Sequence, residues 1–160
     1  MKQLFPAFLL LALLVSCRTT KDAVNPDEIL SIVHGTSFGH CHGYCIKEIR
    51  YEPGSITFTQ MSRDSANFPA KVYVENLTRN DYAALTDLVD KESWKSLDSV
   101  INCPDCADRG AEYLIITTTN GTKKVLYDAW SNPKGMESLL TSIREKRKLL
   151  EKELEQPAEE

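Results

Sequence analysis

The chain has 160 residues, of which 42% are hydrophobic and 26% charged, and its formal net charge at pH 7 is −4. This length suits one ordinary domain with a single core. The acidic balance and the absence of a basic stripe exclude nucleic acid as an expected partner, because no cluster of cations is present to displace phosphate counterions.

The first segment has the pattern of an export leader. Lys2 is followed by an apolar run over 4–15, interrupted by Pro6, and then by Ser16 and Cys17. About a dozen apolar residues are too few for a membrane-spanning helix, which needs about 20. A charged start, a short apolar run and a small-residue cleavage site predict a signal peptide over residues 1–16.

The end of this segment, Leu14-Val15-Ser16-Cys17, resembles the lipobox of bacterial lipoproteins at all four positions. The resemblance implies that Cys17 becomes the N-terminus and carries three acyl chains such as palmitate, more than the two signals that suffice for stable anchoring. Arg18 stands where an Asp retains such lipoproteins in the inner membrane, so the outer membrane is the expected location, facing the periplasm or the cell exterior. An ordinary secretory leader with an unmodified cysteine is the alternative.

The next segment is polar and unpatterned. Residues 17–26 therefore predict a flexible tether, and the nine residues after Cys17 could reach about 30 Å when extended. We expect a single α+β domain over residues 27–160 with a charged C-terminal helix.

Alternating and β-branched segments predict strands in two groups, each followed by a helix. Pro53-Gly54 is typical of a type II turn and Asn120-Gly121 of a type I′ turn, so each predicts a hairpin. His34 is predicted to close the first strand. Strands are expected over 27–35, 46–51, 55–60, 71–75, 112–119 and 123–130, with a loop over 100–110.

Two helices complete the predicted fold. Thr78 and Asp81 match a capping box before a helix over about 79–97, and Asn132 with Pro133 predicts the start of the last helix. The charged second half of that last helix is expected to project into solvent. Its apolar residues recur at helical spacing: Met136, Leu139, Leu140, Ile143, Leu150 and Leu154. The order β-ββ-β-α-ββ-α predicts an α+β fold with a largely antiparallel sheet and helices packed on one face.

Four cysteines remain once Cys17 is set aside: Cys41, Cys45, Cys103 and Cys106. An even number in an exported chain predicts structural disulfides, with three connectivities open. The chain-entropy model assigns about 2 kcal/mol to a loop of about five residues and about 4 kcal/mol to one of about sixty. Bonded cysteines must also have Cα atoms within about 7 Å of each other. We favour the local pairs Cys41 with Cys45 and Cys103 with Cys106, with Gly43 giving the first loop the freedom to close.

Two alternatives use the same cysteines. Cys103 and Cys106 have the C-x-x-C spacing of thiol oxidoreductases, although Asp105 and Asp108 disfavour a thiolate there. A zinc site could combine both cysteine pairs with histidines, provided that the thiolates stay reduced outside the cytoplasm. The candidate histidines are His34, His40 and His42.

The stretch from Gly39 to Cys45 resembles the C-x-G-x-C-P opening of a domain of unknown function found in small bacterial lipoproteins. A helix ending near Trp94, Asp108 before a strand, and the segment 125–128 with Pro133 before a helix are also similar, so the resemblance covers about residues 28–145. Ile46 and Gly110 stand where that family has proline. The resemblance implies no activity.

We therefore predict a lipid-anchored cell-envelope protein that is a non-enzymatic binding or structural module stabilised by disulfides. Its expected partners are the membrane, through the lipid on Cys17, and an envelope protein or a small ligand. No cofactor is expected. The alternative is a redox or zinc-binding protein that uses the two cysteine pairs.

Overall fold

The computed structural model describes residues 27–155, and over this range the chain forms a seven-stranded sheet and three α-helices. The strands are β1 (Ile29–Ser37), β2 (Ile46–Glu52), β3 (Ser55–Met61), β4 (Lys71–Asn76), β5 (Val100–Ile101), β6 (Ala111–Thr118) and β7 (Gly121–Asp128). The helices are α1 (Arg79–Thr86), α2 (Lys91–Ser96) and α3 (Glu137–Glu155), and a 3-10 turn spans Cys106–Asp108.

The sheet has the order β4-β3-β2-β1-β6-β7-β5, and all neighbours are antiparallel except β5 and β7. The β2–β3 turn, the β6–β7 turn and the beginning of β1 lie at one end, which we call the hairpin end. At the β2–β3 turn Gly54 has φ +100°, which the turn requires and glycine accepts at no steric cost. The end of β1 and the loop that leads into β6 lie at the opposite end. The predicted largely antiparallel α+β fold is confirmed.

One face of the sheet forms the core. Alternate residues of five strands, including Ile32, Ile49 and Phe58, pack in one cluster with buried side chains of all three helices. Side chains of α3 contact three different strands: Arg144 binds Glu112 on β6, Lys146 binds Glu75 on β4, and Glu151 pairs with Lys47 on β2. Because α3 crosses the strands in this way, it holds both halves of the sheet together.

The long helix predicted over 79–97 is two helices. Val89 and Trp94 are buried, whereas Leu88 between the two helices is exposed. The carboxylate of Asp90 accepts a hydrogen bond from the Ser93 N–H at 3.1 Å, which caps a new helix at Lys91. Asp90 therefore acts as an N-cap, which is a favoured position for Asp. The predicted capping box at Thr78 is confirmed, since Thr78 Oγ1 accepts from the Asp81 N–H at 3.1 Å.

The β6–β7 hairpin is confirmed, but its turn is not the predicted one. Thr118 pairs with Gly121, so Thr119 and Asn120 form the two-residue loop. Gly121 has φ +142° whereas Asn120 does not have positive φ. The Thr119 N–H donates to the Glu28 carbonyl at 3.1 Å, so the preceding chain fixes the turn.

The last helix begins later than predicted. Asn132 does not cap it; its Oδ1 accepts from Arg144 Nη1 at 2.7 Å. Gly135, at φ +79°, lies so close to Ser93 that a Cβ there would approach the Ser93 side chain to 2.4 Å. The segment before Glu137 is therefore a loop packed against α2. The second half of α3 does not project into solvent, since Leu150 is fully buried.

The predicted order of elements is therefore wrong in two places, because a third α-helix and the short strand β5 were not expected. The predicted packing of two helices on one face is only partly correct, because three helices contribute buried side chains to the core. His34 does not close β1; it lies within the strand and is fully buried.

The predicted signal peptide, Cys17 and tether lie outside the described residues, as do residues 156–160. Within 27–155 the structure contains no helix that is both long and apolar enough to cross a membrane.

Candidate functional site: the stapled end of the sheet

The four cysteines lie in two loops at the end of the sheet opposite the hairpin end. They form two local pairs, Cys41 with Cys45 at a Cα separation of 5.6 Å and Cys103 with Cys106 at 5.5 Å. Both separations fall within the range of disulfides. This agrees with the predicted local pairing, and we call this end the stapled end.

The first loop, residues 38–45, continues directly from β1 and returns into β2. The Phe38 N–H donates to the Cys45 carbonyl at 3.3 Å, and the Cys45 N–H donates to the Gly43 carbonyl at 3.0 Å. Gly43 has φ +84°, so the tight loop uses the freedom that glycine provides. Cys45 is buried just before β2 while Cys41 is exposed, so one side of this pair packs into the domain and the other lies on the surface.

The second loop, residues 102–110, contains several residues in the left-handed backbone conformation. Asn102, Asp105 and Asp108 have φ between 54° and 63°, a region that Asn and Asp tolerate better than most residues. Asp105 also fastens the loop on itself, since its N–H donates to the Gly110 carbonyl at 3.2 Å and its Oδ1 accepts from the Gly110 N–H at 3.0 Å. Cys103 and Cys106 are both exposed.

The two loops are packed against each other. A Cβ on Gly39 would lie 2.8 Å from Asp105 Oδ2, and a Cβ on Gly110 would lie 2.3 Å from the Phe38 ring. Only glycines allow so close an approach. His40 Nδ1 also lies 2.7 Å from Asp108 Oδ1, although this pair is mostly exposed and contributes little to stability.

A third loop, residues 62–70, supports the first. Arg63 Nη1 donates to the carbonyls of Phe38 and Gly39 at 2.9 and 2.8 Å. The Phe68 ring lies edge-on to His42, with centroids 5.0 Å apart. Tyr44 Oη donates to the Pro69 carbonyl at 3.0 Å. Hydrogen bonds and ring contacts therefore join the loops of the stapled end, and imidazole and aromatic groups lie on its surface.

A buried charged cluster lies beneath these loops. Glu112 on β6 accepts hydrogen bonds at Oε2 from Arg144 Nε, at 3.1 Å, and from Arg144 Nη2. His34 Nε2 lies 3.4 Å from the same oxygen, and Arg147 Nη1 lies 3.5 Å from His34 Nδ1. His34 and Glu112 are fully buried and Arg147 nearly so. The Arg147 guanidinium lies over the exposed indole of Trp130, and its Cζ is 5.9 Å from the centroid of the indole ring.

Protonation in this cluster follows from burial and pairing. Burial lowers the pKa of His34, because desolvation disfavours the imidazolium more than Glu112 favours it. Burial alone would raise the pKa of Glu112, but contacts with His34 and Arg144 outweigh it and hold that pKa below its usual value. The cluster is therefore a carboxylate that is hydrogen-bonded by the Arg144 guanidinium and lies beside a neutral imidazole, with Arg147 Nη2 4.0 Å from its other oxygen.

This geometry separates the predicted metal ligands. His34 is in the core, His40 pairs with Asp108, and His42 packs on Phe68. Among residues 27–155 no group of three or more His, Cys, Asp or Glu side chains is placed to hold a metal ion.

Sequence reasoning missed the charged cluster, although a signal was available. Arg144 and Arg147 fall between the apolar residues Ile143 and Leu150 at helical spacing, so a cation had to lie on the buried face of α3. A buried cation requires an anionic partner, and Glu112 sits at an alternating position of a β-prone segment.

Comparison with known proteins adds no relative: no protein-family model matches the chain, and no curated protein matches it. The resemblance to small bacterial lipoproteins therefore stays a prediction.

Proposed function

We propose that this chain is a lipid-anchored protein of the bacterial cell envelope that binds a partner through its stapled end and catalyses no reaction. Two cysteine loops that are distant in sequence are packed together there into one exposed surface that disulfides and hydrogen bonds cross-link, and this observation carries the proposal. Such a surface is pre-organised, so a partner would bind it without the cost of ordering loops.

The direction of β1 supports this assignment. Asp27 precedes β1 at the hairpin end, where its carboxylate accepts hydrogen bonds from Lys95 and Asn120. A nine-residue strand spans about 26 Å. An anchor on Cys17 would therefore join the domain at the hairpin end, so the stapled end is the end farther from the point of attachment.

The environment of the exposed cysteine pair argues against redox turnover. Asp105 and Asp108 flank Cys106, and their carboxylates oppose formation of a thiolate, which is the reactive form of cysteine. We therefore assign both disulfides to the stability of the loops.

Metabolic labelling with an alkyne fatty acid tests the anchor. The full-length chain should be labelled and found in the outer-membrane fraction. The Cys17→Ser variant should lose the label, and Cys41→Ser is the matched control that should keep it. A label that persists in Cys17→Ser would refute lipidation at this residue.

Photo-crosslinking in intact cells tests the binding surface. A photoreactive residue at Trp130 or His42 should give a discrete protein or ligand adduct, whereas one at Thr122, exposed at the hairpin end, should not. The adduct should persist in a folded Cys103→Ser/Cys106→Ser variant. Equal crosslinking from both ends, or none from either, would overturn the assignment.

A further inference from the structure

The two edges of the sheet differ. At one edge the strand is β5, which has only two residues, and the adjoining part of β7 is covered because Lys123 Nζ donates to the carbonyls of Trp94, Lys95 and Leu97 at 2.7 to 2.9 Å. At the other edge β4 has six residues, and within residues 27–155 it pairs with β3 alone. Such an edge presents unpaired backbone N–H and C=O groups that can pair with another strand.

The outer side of β4 is also apolar. Val72 and Val74 point away from the core and are 57% and 62% exposed, which places them among the most exposed large hydrophobic residues of the described chain. They stand two residues apart and therefore share one face of the strand. An edge strand with this pair of valines is suited to β-sheet pairing.

The sequence of β4 is complementary to itself. It reads Lys71-Val72-Tyr73-Val74-Glu75, and an antiparallel pairing of two copies about Tyr73 places each Lys71 opposite the Glu75 of the other copy. The same register places Val72 opposite Val74 and Tyr73 opposite itself. Directly opposite Cβ atoms in such a pair lie about 4.5–5.5 Å apart, so the charges and the valines would interact.

The charges of both residues are available for this pairing. Lys71 makes no ion pair within residues 27–155, and its Nζ lies 4.9 Å from the Tyr44 ring centroid. Glu75 accepts from Lys146 Nζ at 2.6 and 2.8 Å. Because each carboxylate oxygen can accept more than one hydrogen bond, Glu75 can hold Lys146 and a second lysine together.

We infer that two copies of this chain associate through β4, antiparallel about Tyr73, so that the sheet continues from one copy into the other. The occupant of the edge is a second copy because the charge order of β4 matches its own reverse. A strand pair this short buries less than the roughly 1,200 Å² of a standard interface, so the dimer is weak and depends on concentration.

Native mass spectrometry of the full-length protein, released from mild detergent over a concentration series, measures this association. The dimer fraction should rise with concentration. Val74→Arg should raise the dissociation constant at least about tenfold, because it places a cation against Val72 of the other copy and diagonally across from the same substituted residue on that face. Val100→Arg is the matched control, since Val100 is 54% exposed on the opposite edge, and it should leave the dimer unchanged.

Charge reversal then tests the register. Lys71→Glu and Glu75→Lys should each weaken self-association, because each places like charges opposite one another. An equimolar mixture of the two variants should restore a dimer that contains one of each, because every facing pair is then Glu with Lys. This mixture is decisive, since loss of the Lys146 pair in Glu75→Lys cannot explain a gain on mixing.

Three results would overturn the inference: a monomer at every concentration, a dimer that Val74→Arg does not weaken, or charge variants that associate no better when mixed. A complex with a different protein that Val74→Arg abolishes, without self-association, would also overturn it and assign β4 to a strand of that protein.

Discussion

The hairpin end and the stapled end close the same core by different means. At the hairpin end Tyr82, Val89 and Trp94 cover Ile29 and its neighbours with apolar side chains. At the stapled end the core meets a buried cluster of His34, Glu112 and arginines, and two disulfides hold the loops above it. The difference shows that a small domain can end its apolar core with ionic and covalent links, at the cost of a dependence on pH and on oxidation. Five variants or conditions test this comparison.

Trp94→Ala tests the apolar end and should have the largest effect. Loss of this buried side chain should lower the free energy of unfolding by about 3–5 kcal/mol, through lost transfer energy and a cavity. Urea denaturation followed by circular dichroism measures it. Trp130→Ala is the control, since Trp130 is exposed. A loss below that of Trp130→Ala would show that α2 does not seal the core.

Glu112→Gln tests the ionic end. Removal of the carboxylate leaves Arg144 without its buried counter-ion, and breaking a buried pair from one side costs about 3 kcal/mol or more. The same denaturation experiment should show this loss, and Glu137→Gln on the exposed surface should not. If Glu112→Gln left the free energy of unfolding unchanged, the ionic cluster would not stabilise the stapled end.

The two disulfides sharpen the comparison within the stapled end. Replacing Cys41 and Cys45 with Ala should lower the free energy of unfolding by about 2 kcal/mol through loop entropy. Loss of the buried Cys45 sulfur should add to this effect. The same replacement at Cys103 and Cys106, which are exposed, is the matched control and should cost less. A larger loss on replacing Cys103 and Cys106 would show that the second disulfide stabilises the domain more than the first.

Mild acid should weaken the stapled end. His34 has a lowered pKa in the folded state, so below its unfolded pKa of about 6.5 the unfolded chain takes up a proton that the folded chain does not. Stability should therefore fall as pH decreases from about 6.5, by at most about 1.4 kcal/mol per pH unit. Glu112 causes a further loss of stability at lower pH. This loss begins near its usual pKa of about 4.5 and continues as the pH falls through its lowered folded pKa.

Denaturation at pH 7, 6 and 5 measures this slope. His34→Gln should flatten it, and His40→Ala, which changes an exposed histidine, should not. A slope that is unchanged in His34→Gln would assign the effect to another group.

Thr78→Ala tests a local feature at the hairpin end and should have the smallest effect. Loss of the N-cap should cost about 1 kcal/mol, because the Asp81 N–H loses its side-chain acceptor. Thermal denaturation should detect the shift, and Thr78→Ser should largely restore stability. Equal stability of the Ala and Ser variants would show that the cap is dispensable.

Local features of this chain were predictable from the residues that form them. The β2–β3 hairpin follows from Pro53-Gly54, the start of α1 from the capping box at Thr78, and the apolar face of α3 from its spacing. The local cysteine pairs belong to the same group, because loops this short bring their own ends together. Each depends on contacts between residues a few positions apart.

Features that depend on distant residues were missed or misplaced. The β6–β7 turn moved to Thr119 and Asn120 because the Glu28 carbonyl binds the Thr119 N–H. Helix α3 began late because Gly135 packs on Ser93. In each case a contact across the fold outweighed the local preference.

The sequence by itself determined the class of fold, the strands, the caps and the pairs of cysteines, because these follow from periodicity and short-range chemistry. Only the tertiary structure decided that both cysteine loops share one end, that His34 and Glu112 meet the arginines of α3 in the core, and that β4 is an open edge among the described residues. These arrangements depend on which strands become neighbours in the sheet, and strand order is fixed by packing between segments far apart in the chain.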